Sequence, residues 1–235
     1  MPSHIKLLTT RRGYEFDADE LRLDVLALPH NQQVVKEEFG FQANGIASPP
    51  PLFGSVPQSV PAGLIFLTGA FAGDEARVPI HTLAIEPRRV VLDMLASPET
   101  IDLAFERLRL VTDGMAPGDL GPTIGEPRRA RDYSEMSVRF DFDAERLLAP
   151  GLGPLLKRAV SSLSTTENDA LLPTLSLQLL APDQEYPGPT TSAAVLAPRA
   201  FTEPSDRVYY SAAFLTPEEH SEYLNAIIGL LSALD

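Results

Sequence analysis

Apolar and polar residues change their spacing several times along the chain, and each change marks an element. From Gly63 to Ala72 the run is rich in β-branched and aromatic residues, and Gly73, Asp74 and Glu75 follow it with turn chemistry. Val78–Glu86 reads as the return strand of a hairpin. Pro87, Arg88 and Arg89 then turn the chain into a third strand, Val90–Leu95. Next the period becomes helical: Ile101, Ala104, Phe105, Leu108 and Val111 fall on one stripe, with Asp102, Glu106, Arg107 and Arg109 off it. Ser97 is placed to cap this helix, Pro98 occupies the first helical position where no N–H is needed, and Glu99 faces the positive end of the dipole. Gly114 supplies the stop.

The same order returns near the end of the chain. Arg207–Phe214 reads as a strand, Thr216, Pro217 and Glu219 repeat the cap as a capping box, and His220, Tyr223, Leu224, Ile227, Ile228, Leu231 and Leu234 form the last helical stripe. Arg89–Val111 and Arg207–Leu231 are therefore read as counterparts in two similar halves, against the plainer alternative that this cap starts many unrelated helices.

Elsewhere the pattern is less regular. Arg11, Arg12 and Gly13 read as a turn, Leu21–Leu28 as a strand stopped by Pro29, and Asn31 as the cap of a short helix through Val34, Val35 and Phe39 that ends at Gly40. Residues 47–61 hold five prolines and form neither helix nor interior strand. That loop is either a docking segment, in which Leu52 and Phe53 enter a partner's groove, or a stiff connector lying on the protein's own body; the connector is the commoner use. Met115–Pro127 is again loop-like and is taken as the boundary between an N-terminal half, 1–116, and a C-terminal half, 128–235, in one compact unit. Leu147–Ser162 reads as a helix interrupted at Pro150–Pro154, and Thr174–Leu179 and Ser192–Phe201 as further strands.

Two groups of polar residues carry candidate chemistry. Glu135–Asp143 alternates strictly, so Arg139, Asp141 and Asp143 share the polar face of a strand, where two carboxylates could hold a divalent cation for a metal-dependent hydrolase or nuclease. A solvated sheet face, with Arg139 balancing the acids and Asp143 capping a helix, accounts for the same residues. Arg128, Arg129 and Arg131 form the tightest basic cluster, suited to an anion or a partner's carboxylate, or else to a local network with Glu126 and Asp132. His4, His30, His81 and His220 show no metal-ligand spacing; His81 and His220 are read as structural or exposed.

Composition narrows the classes. The formal net charge of −13 argues against a sequence-independent grip on nucleic acid, and the absence of cysteine removes disulfides and thiolate chemistry. Met1–Leu8 lacks the basic-then-apolar form of a signal peptide, and no run is long enough for a membrane span. No phosphate loop, dinucleotide fingerprint or nucleophile elbow is present, and nothing demands a cofactor. The expectation is an α+β protein, mostly antiparallel sheet with amphipathic helices on one face. Its expected role is that of a non-catalytic interaction or assembly subunit of a cytoplasmic complex, joined to a protein partner or to itself. A small-ligand-binding domain and the metal-dependent enzyme are the alternatives.

Overall fold

The computed structural model describes residues 4–46, 63–73, 77–118, 121–140, 177–181, 191–199, 202 and 206–232. The fold is α+β, and within each of its two units the strand neighbours pair antiparallel. In chain order the elements are β1 (His4–Glu15), α1 (Leu23–Leu26), α2 (Pro29–Phe39), β2 (Ala43–Ile46), β3 (Leu64–Ala72), β4 (Arg77–Glu86), β5 (Arg89–Met94), α3 (Pro98–Thr112), β6 (Arg129–Arg139), β7 (Leu177–Ala181), β8 (Thr191–Pro198), β9 (Val208–Ala213) and α4 (Pro217–Ser232). They divide into two compact units, Thr9–Asp132 and Met1–Leu8 with Tyr133–Asp235.

In the unit Thr9–Asp132 the strand neighbours run β2, β3, β4, β5 and then β1. The alternation along β4 and β5 turns Leu83, Ile85, Val90, Leu92 and Met94 to the buried side, where they join Ile101, Ala104, Phe105 and Leu108 of α3. The ring of Tyr14 stacks on Phe105 at 3.8 Å between centroids, which fixes β1 under the helix. Ser97 caps α3 through the Thr100 N–H. α2 ends at Gly40 with φ of 60°, a left-handed conformation that glycine enters at little cost. The chain leaving α2 then presses the Phe41 ring onto Gly69 of β3, where any Cβ would overlap it.

In the other unit the neighbours run β6, β9, β8 and β7. Met136 and Val138 of β6, and Phe140 just after it, alternate into a second core with Leu196, Tyr209 and Leu224, and Ile5 and Leu7 pack against it. α4 opens with a reciprocal capping box: Thr216 Oγ1 accepts from the Glu219 N–H at 3.3 Å, and Glu219 Oε2 accepts from the Thr216 N–H at 3.1 Å.

Several sequence expectations change. Arg11–Gly13 is no turn but the middle of β1, paired with Val91–Asp93 of β5. Leu21–Leu28 is not a strand: the buried positions are Leu21, Val25 and Leu26, a helical spacing, and Leu23–Leu26 is helical. Leu21 makes only an isolated bridge to Ile124. Asn31 does not cap α2, because Pro29 already begins it; the Asn31 amide instead donates to the Val25 carbonyl at 2.8 Å and ties the two short helices together. On α3 the stripe closes with buried Thr112 rather than Val111, the Thr112 hydroxyl donating to the Leu108 carbonyl. β6 starts at Arg129, ahead of the alternating strand expected from Glu135, and so takes in Arg129 and Arg131 of the basic cluster. The expected helix within Leu147–Ser162 and the proline-rich loop 47–61 lie outside the described residues.

The capping box makes a simple prediction. Thr216→Ala removes both the side-chain acceptor and the geometry that holds Glu219, and should cost about 1 kcal/mol in urea unfolding with an unchanged slope. A midpoint equal to that of the wild type would show that α4 is held by packing alone.

Candidate functional site

The three strands at one side of the first unit bring together Thr9 and Arg11 of β1, His81 of β4 and Asp93 of β5. The local cause is a bulge. Ile80 pairs with Met94 and Thr82 with Asp93, so His81 is the extra residue, turned towards the Asp93 carboxylate. Thr68, opposite on β3, has φ of 55°, an uncommon conformation for a β-branched residue. Asp93 accepts from the Thr9 hydroxyl and from Arg11 Nε at 2.7 Å, and His81 Nδ1 lies 3.5 Å from the same carboxylate. That distance is beyond a normal hydrogen bond. The carboxylate therefore belongs to Thr9 and Arg11, and His81, half exposed, is a charge partner only when protonated. Nothing in the sequence joined these four residues, although an aspartate within the apolar run Val90–Met94 was a visible irregularity.

On the opposite side of β1, Arg12 Nη1 lies 2.7 Å from both oxygens of Asp132, and Tyr14 donates its hydroxyl to Asp102 at 2.7 Å. Arg12 Nε is 2.9 Å from Asp102, but its N–H is not directed at that oxygen, so this contact is ionic without being a hydrogen bond. Burial pulls the Arg12 guanidinium down in pKa, but the bond and charge of Asp132, with Asp102 behind it, leave it above its ordinary value. Burial first, then the bond to Asp102, pushes the Tyr14 phenol up and keeps it neutral.

In the second unit His220, fully buried on the first turn of α4, sits between two serines. Ser134 Oγ is 2.8 Å from Nδ1 and Ser211 Oγ is 2.8 Å from Nε2. Each hydroxyl also has a carbonyl within reach, Leu215 for Ser134 and Val195 for Ser211. A neutral ring closes the network when Nδ1–H donates to Ser134 and Ser211 donates to Nε2. Burial lowers the His220 pKa to about 4, opposed only by the backbone of Ser134. Enclosed as it is, the trio pins α4 to β6 and β9 rather than meeting a solute. The sequence showed the histidine but not its two serines, one nine residues before it on the preceding strand and the other eighty-six residues away.

The residues singled out from sequence are dispersed. Arg129 Nε lies 2.6 Å from Glu15 Oε2 and Arg131 Nε 3.4 Å from Glu15 Oε1, while Arg128 donates its backbone N–H to the Glu15 carbonyl at 2.7 Å. Residues 129 and 131 share a side of the strand, and Asp132 points the other way, to Arg12. Glu126 pairs with Arg109 instead. The basic cluster is thus organised around Glu15, not around Glu126 and Asp132. Arg139 is exposed at the end of β6; Asp141, Asp143, Leu52 and Phe53 lie outside the described residues. Among the described residues no group of three or more His, Asp or Glu side chains could hold a metal ion, and no helix is long and apolar enough to cross a membrane. Among the large apolar side chains, Leu28, Val34, Leu67, Leu95, Leu103, Leu110 and Phe214 are exposed.

His220 yields a pH prediction. Its folded pKa, about 4, lies below the ordinary 6.5, so the unfolded chain takes up the proton first. The contribution to stability is complete above pH 6.5 and is lost as pH falls towards 4. His220→Leu leaves both serines a carbonyl to donate to, so it should change stability at pH 7 by less than about 1.5 kcal/mol. It should also flatten the decline on acidification by up to about one bound proton. Parallel urea titrations from pH 7.5 to 4.5 measure both; identical slopes for the two proteins would contradict the assignment.

Compared with known proteins, the chain matches no family model and no curated protein.

Proposed function

We propose that the chain is a non-catalytic interaction or assembly subunit of a cytoplasmic protein complex. The observation that carries this reading is the contrast between the interior and the exterior of the described residues. His220, Asp93, Arg12 and Glu15, the residues best equipped for chemistry, are engaged by side chains of the same chain: two serines for His220, a threonine and an arginine for Asp93, Asp132 for Arg12 and arginines for Glu15. Large apolar side chains stand outward instead, with Leu103 and Leu110 of α3 at 59% and 67% exposure. Single exposed leucines are ordinary on any protein, but two on one line of one helix form the beginning of a contact surface.

The same reading takes the two units as copies of one β/α unit with its helices on one face of the sheet. Two sets of observations support it. The neighbour order β3, β4, β5, β1 in one unit corresponds to β7, β8, β9, β6 in the other. Counting from the caps also aligns the halves: Met94, three residues before Ser97, pairs with Thr10, and Ala213, three before Thr216, pairs with Ser134. Duplicated units of this kind offer related surfaces that can diverge, one retained for folding and the other free to dock.

The test is the mass of the native species. In extracts of the source cells at native expression level, the chain should migrate well above its own 25.5 kDa in size exclusion with light scattering. Migration as a free 25.5 kDa monomer at every ionic strength tried would contradict the subunit reading.

A further inference from the structure

We propose that α3 pairs in parallel with α3 of a second copy of this chain, through the stripe formed by Leu103 and Leu110. The proposal rests on the interaction-subunit reading and names one partner for one surface. Seven residues apart on a helix, these two leucines lie within about 20° of one another. They stand on the side opposite to Ile101, Ala104 and Leu108, which enter the core. Among the described residues no packing within the unit accounts for leucine at either position, at 59% and 67% exposure.

The second helix provides an internal control. Counted from the caps Ser97 and Thr216, the residues of α4 equivalent to Leu103 and Leu110 are Glu222 and Gly229. A helix that begins with the same cap thus carries a charge and a bare backbone where α3 carries two leucines. Folding does not require apolar residues there, so their presence in α3 points to a surface outside the chain.

The flanking charges select the occupant and its orientation. Glu106 and Arg107 stand on opposite flanks of the stripe, roughly 50° to either side of it at 100° per residue. A two-fold axis parallel to α3 sets Leu103 against the partner's Leu103 and Leu110 against the partner's Leu110, and it exchanges the flanks. Glu106 of one copy then faces the partner's Arg107 on both sides of the seam. An antiparallel pair keeps each flank on its own side and sets Glu106 against Glu106 and Arg107 against Arg107, which is repulsive. Within the chain Arg107 uses its Nε on Glu38, at 2.6 Å, and Glu106 meets Arg109 at 3.1 Å. The Arg107 fork has further N–H donors and the Glu106 carboxylate further lone pairs, so both can bridge to a second copy. Glu99, seven residues before Glu106, stands on the same flank and across a parallel seam meets the uncharged Thr100 of the second copy, so the Glu106–Arg107 pairs alone carry the cross-seam attraction, in a chain of net charge −13. A single helix pair buries less than the roughly 1,200 Å² of a standard stable interface, so the dimer is a weak one.

Sedimentation equilibrium of the full chain over a concentration series tests this. The wild type should show a reversible monomer–dimer equilibrium, and Leu103→Glu should raise its dissociation constant at least tenfold while leaving the far-ultraviolet spectrum and urea midpoint in place. Glu106→Arg and Arg107→Glu, each alone, should weaken pairing several-fold, because like charges then meet across the seam. An equimolar mixture of those two variants should restore dimer, as a heterodimer. A wild type that stays monomeric up to about millimolar concentration, a dimer indifferent to Leu103→Glu, or a charge-reversed mixture that stays monomeric would each overturn the proposal. The larger reading is judged separately on the native mass in extracts. If Leu103→Glu drops out of the native complex while the purified chain is monomeric, another protein occupies the stripe and the subunit reading stands. If the native chain also migrates at its own mass, both fail.

Discussion

The structure depends on the burial of one face of a capped helix on an antiparallel sheet, and it does so in each unit. In the first, Ile101, Ala104 and Leu108 are fully buried and Phe105 nearly so, against equally buried Leu83, Ile85, Val90 and Met94. Each large side chain so enclosed contributes about 1.5–3 kcal/mol. The capping hydrogen bonds add only about 1 kcal/mol apiece, so they set where the helix begins rather than whether it forms. Because the stripe occupies one side of α3, the opposite side takes no part in the apolar core, its tie to the rest of the unit being the Arg107–Glu38 ion pair on one flank.

Polar groups within this frame follow from the same constraint. A sheet face that turns towards a helix must satisfy whatever polar atoms it carries. Tyr14 does so through Asp102, Ser134 and Ser211 do so through His220, and Arg12 does so in part, through Asp132, its Nε meeting Asp102 as a charge without a hydrogen bond. Thr10, which takes the place in β1 that Ser134 takes in β6, is fully buried, and its hydroxyl has no partner among the described residues. Where α4 has His220, α3 has Ile101, which cannot offer one. At the fourth residue after the cap, one helix thus places a hydrogen-bonded ring and the other a hydrocarbon, with an unsatisfied hydroxyl on the strand beside it among the described residues.

How far the sequence could be read depended on the range of the interactions. The hairpins around β4 and β5, the stripe and cap of α3 and the capping box of α4 were legible because each is decided within about fifteen residues, by period and by turn chemistry. Leu21–Leu28 misled because its alternation over eight residues also fits a short helix followed by a second helix that Pro29 opens. Arg11–Gly13 misled because a glycine after two basic residues resembles a turn, whereas the β5 partner that holds it in a strand lies some eighty residues away. The polar clusters were illegible for the same reason: Thr9 and Asp93, or Ser134 and His220, meet only after the sheet has formed. Leu103 and Leu110 were the reverse case. Their seven-residue spacing was in plain view, but only the folded chain shows that it falls on the outer side of α3.

The central claim is that the outward side of α3 is an interface built from leucines which folding does not need. Because the chain contains no cysteine, a single introduced thiol reports on it without interference. Under mild oxidation Leu103→Cys should form a disulfide-linked dimer, since a parallel pair sets position 103 against itself within the roughly 4.4–6.8 Å between Cα atoms that a disulfide spans. Glu222→Cys, at the equivalent place on α4, should remain monomeric. Equal cross-linking at both positions, or none at 103, would contradict the account.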